Sequence, residues 1–395
     1  MGTKMMEKTA ASAGKKANLS MKQYGMMLAL IAVYVIFAFI TEGKNLSAMN
    51  VNSLIMQNGY VVILAVGMLL CVLTGNVDLG VGSVVASCGA VAGTLIVDFG
   101  VNTPLAMLAS LVVGALFGVF VGFFVSKLDI PPFIVTLATM LMGRGICYVI
   151  LQSQTKGPLP ASYTWISTGF LPTWKVGNVD MITMIVAIVC VVLVFAMDFK
   201  SIATNKKHGL PTIPLWQSVA KDAVISAIIL FFFFKLACYN GIPVLLLLML
   251  AVVCVYHFIT TKTVAGRQIY AMGGNAKAAS LSGINTKKVF FWVYANMGLL
   301  CGLAGIVLSA RNASATPKAG DGFEMDAIAS CYIGGAATSG GIGTVIGAVV
   351  GAFIMGILNN GMSLAGFDTN VQKIVKGAVL LGAVTVDLVS KRKKG

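Results

Sequence analysis

Apolar residues run along this chain in long blocks separated by short polar or basic stretches. The blocks lie near 24–40, 54–74, 78–97, 103–125, 133–151, 180–197, 222–240, 242–260, 289–309, 325–338, 342–360 and 371–389. Most approach the roughly 20 residues that a helix needs to cross the hydrocarbon core of a bilayer, and several are short or broken by glycine. Their continuous apolar character, rich in Ala, Leu and Gly, fits helices that pair their own backbone groups; the short alternating segments of a membrane barrel are absent. The pattern predicts an all-α, polytopic transmembrane helical bundle with about 10–12 segments.

Composition removes the soluble alternative. Of 395 residues 58% are hydrophobic and only 10% charged, with a mean hydropathy of +0.91, which leaves too little polar surface to cover a globule. The formal net charge of +15 does not indicate nucleic acid, because the basic residues sit between apolar blocks without interleaved stacking aromatics. They fix orientation instead, since Lys and Arg accumulate on the cytoplasmic side. Four clusters fall on one side when twelve segments cross: Lys4 to Lys22; Lys200, Lys206, Lys207 and Lys221; Lys262, Arg267, Lys277, Lys287 and Lys288; and Lys391 to Lys394. Glu42, Asp98, Asp180, Asp321, Glu324 and Asp368 fall on the other; Lys373 and Lys376 fit this scheme poorly. The expected layout is a cytoplasmic tail (1–23), a transmembrane domain (24–390) containing a cytoplasmic loop (263–288), and a basic cytoplasmic end (391–395). The first apolar block has no small-residue cleavage site behind it and reads as a retained anchor.

An internal echo relates CVLTGNVDLGVGSVVASCGAVAG, starting at Cys71, to CYIGGAATSGGIGTVIGAVVGAFI, starting at Cys331, with one extra residue in the second copy. Each has an apolar start, a polar glycine-rich break and a small-residue helix. Irregular backbone at membrane depth is tolerated where it is buried in protein or lines a cavity, and paired broken helices mark the polar path of many transporters. Asn76, Asp78, Ser83, Thr338 and Ser339 in the breaks, with Asn359 and Asn360, are therefore candidates for the path. Arg144 joins them, because a cation in an apolar block is expensive unless paired. Asp78 is its candidate partner; alternatively Asp78 caps the helix that follows. Gly114, Gly118 and Gly122 at GxxxG spacing read as a close helix contact. The eight cysteines lie in apolar segments without metal-ligand spacing and read as inert core residues.

The loop 263–288, TVAGRQIYAMGGNAKAASLSGINTKK, is basic and lacks acids. Asn275 can cap a short helix over Ala276 to Ser282, which Gly283 in the left-handed conformation would close, with Ile284 as its hydrophobic follower. The segment is either a small helix presented to a partner or a plain connector.

Five strings, TGNVDLGVGS, PPFIVTLATMLMGRG, AGRQIYAMGGNAKAASLSGI, AIASCYIGGAATSGGIGTVIGA and ILNNGMSLAG, occur in the order found in the ribose- and xylose-type permeases of bacterial ABC importers, which the chain resembles from about Asn52 to Asp387. That resemblance implies a permease for a monosaccharide, working as a pair with a second permease copy, two cytoplasmic ABC ATPase subunits and a substrate-binding protein, in the bacterial inner membrane. It also implies that Gly266, Arg267, Tyr270, Gly273, Gly274, Asn275, Ala278, Ala279, Ser282, Gly283 and Ile284 form the segment coupled to the ATPase, with Ala278 and Ala279 facing it. The stretch Lys200 to Asn240 departs from shorter ribose-type members and fits the longer xylose branch.

No GxxxxGK[ST] segment cradles a nucleotide, so ATP hydrolysis belongs to a partner. Lone His208 and His257 give no catalytic constellation, and His257 reads as a satisfied helix-end residue. No catalytic residue, metal site or cofactor is expected. Asp321, Glu324 and Asp326 read as a solvated outer loop or a docking patch for the binding protein. Two other readings remain: a branched-chain amino acid permease of related fold, which would need charges or half-helix ends for a zwitterion, and an ion-coupled secondary transporter, which would need carboxylates at membrane depth.

Overall fold

The computed structural model describes residues 25–209 and 215–392, so the tail 1–23 lies outside the described residues, and of the end 391–395 only the backbone of 391 and 392 is described. The helices are α1 (Gly25–Ile40), α2 (Ala48–Leu73), α3 (Val81–Val97), α4 (Thr103–Lys127), α5 (Pro132–Leu151), α6 (Ala161–Thr168), α7 (Met181–Lys207), α8 (Leu215–Ala237), α9 (Val244–Lys262), α10 (Val264–Gly274), α11 (Ala276–Leu281), α12 (Thr286–Asn312), α13 (Phe323–Ile333), α14 (Val345–Leu364) and α15 (Thr369–Arg392). Seven of them, α2, α4, α5, α7, α9, α12 and α14, are long and apolar enough to cross a membrane, and α1 and α3 are shorter apolar helices. The fold is the all-α polytopic bundle expected. Among the described residues the strands are a two-residue pair, β1 (Lys175–Val176) and β2 (Val179–Asp180).

Local sequence accounts for where the helices begin. Ser47, Asn102, Asp180, Thr263, Asn275, Asn285 and Thr344 each accept a hydrogen bond from a backbone N–H three residues on, at 2.9–3.3 Å. Pro104 and Pro132 occupy first-turn positions where no N–H is required. At Asp180 burial alone would raise the carboxyl pKa, but hydrogen bonds from Thr183 and from the Trp174 and Thr183 amides outweigh it and hold the group below its ordinary value.

The centre of the bundle is α2, with 83% of its apolar window buried, against 11% for the peripheral α7. Helices α12, α14, α13 and α9 pack around α2, while α3 sits between α4, α5 and α12. Gly114 and Gly118 of α4 meet Gly298, Gly302 and the Tyr294 and Ala295 backbone of α12, so a Cβ on either glycine would run into main-chain atoms. This is the close contact that the GxxxG spacing predicted, and its partner is α12. A hairpin of α7 and α8 packs mainly on itself and reaches α2 through α8.

Ion pairs agree with the assignment of ends to two sides. Lys156 meets Asp98 at 2.8 Å at the ends expected outside, while Lys287 meets Asp129 at 2.6 Å and Lys221 meets Asp198 at 2.8 Å at the ends expected inside. Two expectations need correction. Cys71, Cys88, Cys147, Cys301 and Cys331 are buried, but Cys190 and Cys238 are only half-buried and Cys254 is exposed, because α7, α8 and α9 turn one apolar face outward. The second break also exceeds the first by more than one residue: it spans 334–344 against 74–80, since the first turn matched to α3 stays unwound before α14.

Candidate functional site

The polar residues of the first break are spent on its own backbone. Thr74 donates to the Cys71 carbonyl at 2.7 Å, Asn76 donates to the Thr74 carbonyl at 3.1 Å, and the Asp78 carboxyl accepts from the Gly80 amide at 2.8 Å. Such local bonds replace those that a continuous helix would have made. Asp78 is buried, and its bond closes the turn before α3; it is not the partner of Arg144.

The second break meets the first directly. The Gly341 amide donates to the Leu73 carbonyl at 2.9 Å, and the Ser339 carbonyl lies against Gly75. Thr338 offers its amide and hydroxyl to Asp387 of α15, both at 3.5 Å. Helix α10 closes the junction: Tyr270 donates to the Gly343 carbonyl at 2.7 Å, and Gly273 abuts both breaks. A Cβ on Gly273 would lie 2.6 Å from the Gly341 nitrogen and 2.9 Å from the Leu73 carbonyl carbon. The segment Val264–Gly274 therefore touches both discontinuities through backbone.

The short helix α11 forms as its sequence predicted. Asn275 accepts from the Ala278 amide at 2.9 Å, Gly283 has φ +85°, and the Ile284 amide returns to the Ala279 carbonyl at 3.1 Å. Arg267, Gly274, Asn275, Ala278, Ser282 and Gly283 are exposed, whereas Gly266 and Ala279 are buried and Tyr270, Gly273 and Ile284 are half-buried. Ala279 thus points inward against the bundle, contrary to the expectation that it faces a partner. The outstanding apolar side chain on the exposed face is Leu281, 84% exposed, which sequence reasoning passed over as an ordinary helix former.

Arg144 lies twelve residues into α5, roughly 18 Å along its axis. There its guanidinium donates to the carbonyls of Pro317 and Ala319 at 2.8 and 2.6 Å. The connection between α12 and α13 thus dips to the level of mid-α5, where non-helical carbonyls need protein donors. Ser83 packs on Gly143 beside this contact, Ser87 donates to the Gly143 carbonyl at 2.7 Å, and Gly82 touches Gly320 and Glu324. The acidic cluster is not simply a solvated loop. Asp326 is 2% exposed and pairs with Lys376 at 3.0 Å, and Asp321 pairs with Lys373 at 2.8 Å. These bonds explain the two lysines that fit the charge pattern poorly: each lies opposite a carboxylate of the α13 region.

The remaining candidates lie apart. Asn360 exchanges two hydrogen bonds with Asn50 at 2.9 and 3.0 Å and donates to Gln57 at 3.3 Å, joining α14 to α2; Asn359 is its neighbour on α14. The candidates thus do not form one site: Asn76, Thr338 and Ser339 lie in the two breaks that meet, Asp78 at the turn before α3, Ser83 and Arg144 at the mid-depth contact, and Asn360, with Asn359 adjoining, in the α2–α14 amide cluster. His257 is exposed on α9 and not satisfied at a helix end, and His208 is exposed after α7.

Broken helices meeting inside an apolar bundle, with a small basic helix attached to them, define a membrane transport permease. The family model for the branched-chain amino acid transport system / permease component matches residues 50–202 and 168–384. The chain is 38% identical over 379 residues to the xylose transport system permease protein of Escherichia coli, covering 95% of this chain and 94% of that protein. It is 35% identical to the xylose transport system permease protein of Haemophilus influenzae, covering 96% and 99%, and 35% identical to the ribose import permease protein of Escherichia coli, covering 91% and 92%. No solved structure matches. The chain belongs to this permease family.

Proposed function

We propose that this chain is the membrane-spanning permease subunit of an ATP-binding cassette importer that moves a monosaccharide delivered by a substrate-binding protein. The matched relatives named for xylose and ribose favour a sugar over the branched-chain amino acid alternative, although the family description carries the latter name. A second copy of the chain, two ATPase subunits and the binding protein complete the machine, with both termini and residues 263–288 in the cytoplasm.

The observation that carries the reading is the junction of Leu73, Gly273 and Gly341. A partner pressing on α11 and α10 would act on both broken helices at once, without a long relay. In this scheme Gly266, Tyr270, Gly273, Ala279 and Ile284 hold the segment to the bundle. Arg267, Gly274, Asn275, Ala278, Ser282 and Gly283 meet the ATPase together with Leu281. The polar junction residues Asn76, Thr338 and Ser339 lie where the bundle would open, Asp78 holds the turn into α3 beside them in sequence, and Ser83 and Arg144 set the position of the outer connection. Asn359 and Asn360 brace α14.

Reconstitution with ATPase and binding protein should give sugar-dependent ATP hydrolysis and uptake, while the purified chain alone hydrolyses none. Uptake driven by an ion gradient in ATP-free vesicles would overturn the proposal and return the chain to the secondary-transporter class.

A further inference from the structure

Helices α9 and α12 both pack on α2 rather than on each other, and a cavity of about 650 Å³ lies between them. That volume is within the roughly 300–1,000 Å³ of a small-molecule site. Leu70 of α2 and Ile269 of α10 line it together with Ile259, Val289 and Val293. At one end Tyr256 donates to Asn296 across the gap, the bond that ties α9 to α12 there. At the other end stand Gln268 and Lys288, whose side chains have no protein partner among the described residues. The neighbouring outer surface is apolar: Val255, Phe258 and Trp292 are 53–60% exposed. The cavity therefore opens on one side to hydrocarbon and on the other to the basic segment 263–288, which contains no acid.

We propose that this cleft is a binding site for an anionic phospholipid, with one acyl chain along the aliphatic wall and the phosphate at Lys288. Charge selects the occupant. A free cation is presented at the mouth of an apolar slot, with further basic residues on the same loop, which is how juxtamembrane segments recognise anionic lipid. The chain's own N-terminal tail, with Lys4, Lys8, Lys15, Lys16 and Lys22, carries the wrong sign. A sugar finds few partners for its several hydroxyls, because Tyr256 is engaged with the Asn296 Oδ1 and the Asn285 Oδ1 caps α12, which leaves the buried Asn296 Nδ2 as the open donor at that end. The proposal rests on the reading of the chain as membrane-spanning, but not on which leaflet the segment faces or on what is transported. Because α10 forms one wall, an occupied site would brace the segment that carries the junction of breaks.

The test is native mass spectrometry of the purified, delipidated chain offered phosphatidylglycerol or phosphatidylcholine of identical acyl chains. Wild type should retain phosphatidylglycerol over phosphatidylcholine, and Lys288→Gln should lower that preference about fivefold, the effect of removing one basic residue beside an anionic surface. Val289→Phe, which fills the wall, should remove retention of both lipids. Lys288→Gln changes an exposed side chain, so it reads the proposal even if Val289→Phe folds badly. Equal retention of the two lipids by wild type, or an undiminished preference in Lys288→Gln, would overturn it. So would loss of phosphatidylglycerol on addition of inorganic phosphate, which would show a simple anion site, or on addition of xylose or ribose, which would show a sugar site.

Discussion

Gly273 and Gly274 are neighbours on α10, yet their surroundings differ completely. A methyl group at 273 would sit 2.6 Å from the Gly341 nitrogen and 2.9 Å from the Leu73 carbonyl carbon, both main-chain atoms, whereas a methyl at 274 meets nothing within 4 Å. Both substitutions gain up to about 1 kcal/mol of helix propensity. At 273 that gain is opposed by about 1–3 kcal/mol of overpacking, at the upper end because neither neighbour can rotate away. The Leu73 carbonyl oxygen lies nearer still, so to reach ordinary contact α10 must move off the two breaks by well over an ångström. The expected outcome is that Gly274→Ala melts at or slightly above wild type with normal activity. Gly273→Ala should lose binding-protein-stimulated ATP hydrolysis by about 5–150-fold, the range that 1–3 kcal/mol of lost coupling gives. The assay is vanadate-sensitive hydrolysis by the reconstituted complex with and without liganded binding protein, beside thermal unfolding in detergent. Equal stimulation in the two variants would refute the idea that α10 transmits force through this contact.

Leu281→Glu should abolish pull-down of the ATPase while leaving thermal stability unchanged, whereas Ala279→Trp should lower stability because its side chain faces the bundle; normal pull-down by the Leu281 variant would show that α11 is only a connector. Removing one partner of the Asp326–Lys376 pair as Asp326→Asn should cost about 3 kcal/mol, at the low end for a buried pair because Lys376 keeps partial exposure, and adding Lys376→Met should recover much of it in thermal unfolding. Asn360→Leu should cost between about 0.6 and 1.7 kcal/mol, the average and the maximum for hydrogen bonds between membrane helices, and an unchanged melting temperature would show that Asn50 finds another partner. A cysteine at position 277 in a cysteine-free background should resist impermeant reagents added to intact cells; labelling from outside would overturn the orientation proposed for α10 and α11.

Most of the helices were legible because apolar length is a strong signal: each of the twelve blocks corresponds to a helix, and the cap at Asn275 and the closing Gly283 could be read residue by residue. Partnership was less legible. Arg144 looked for a carboxylate in the sequence and found two carbonyls of an irregular connection, which no residue type advertises. Lys373 and Lys376 contradicted the charge rule because their partners lie some fifty positions away. Ala279 and Leu281 differ by two residues on a six-residue helix, and only the docking of α11 on the bundle decides which of them is covered. The junction at Gly273 was recognised as part of a motif, but its contact with both breaks depends on long-range folding.

The seam between α4 and α12 has a mechanical consequence. Where two helices touch main chain to main chain at Gly114, Gly118, Gly298 and Gly302, no side chains lie between them to change rotamer, so sliding has no intermediate positions. The pair behaves as a stator. Opening and closing of the protein would then take place around it, with the pivot expected at the unwound stretches 74–80 and 334–344, where the backbone lacks the hydrogen bonding of a helix.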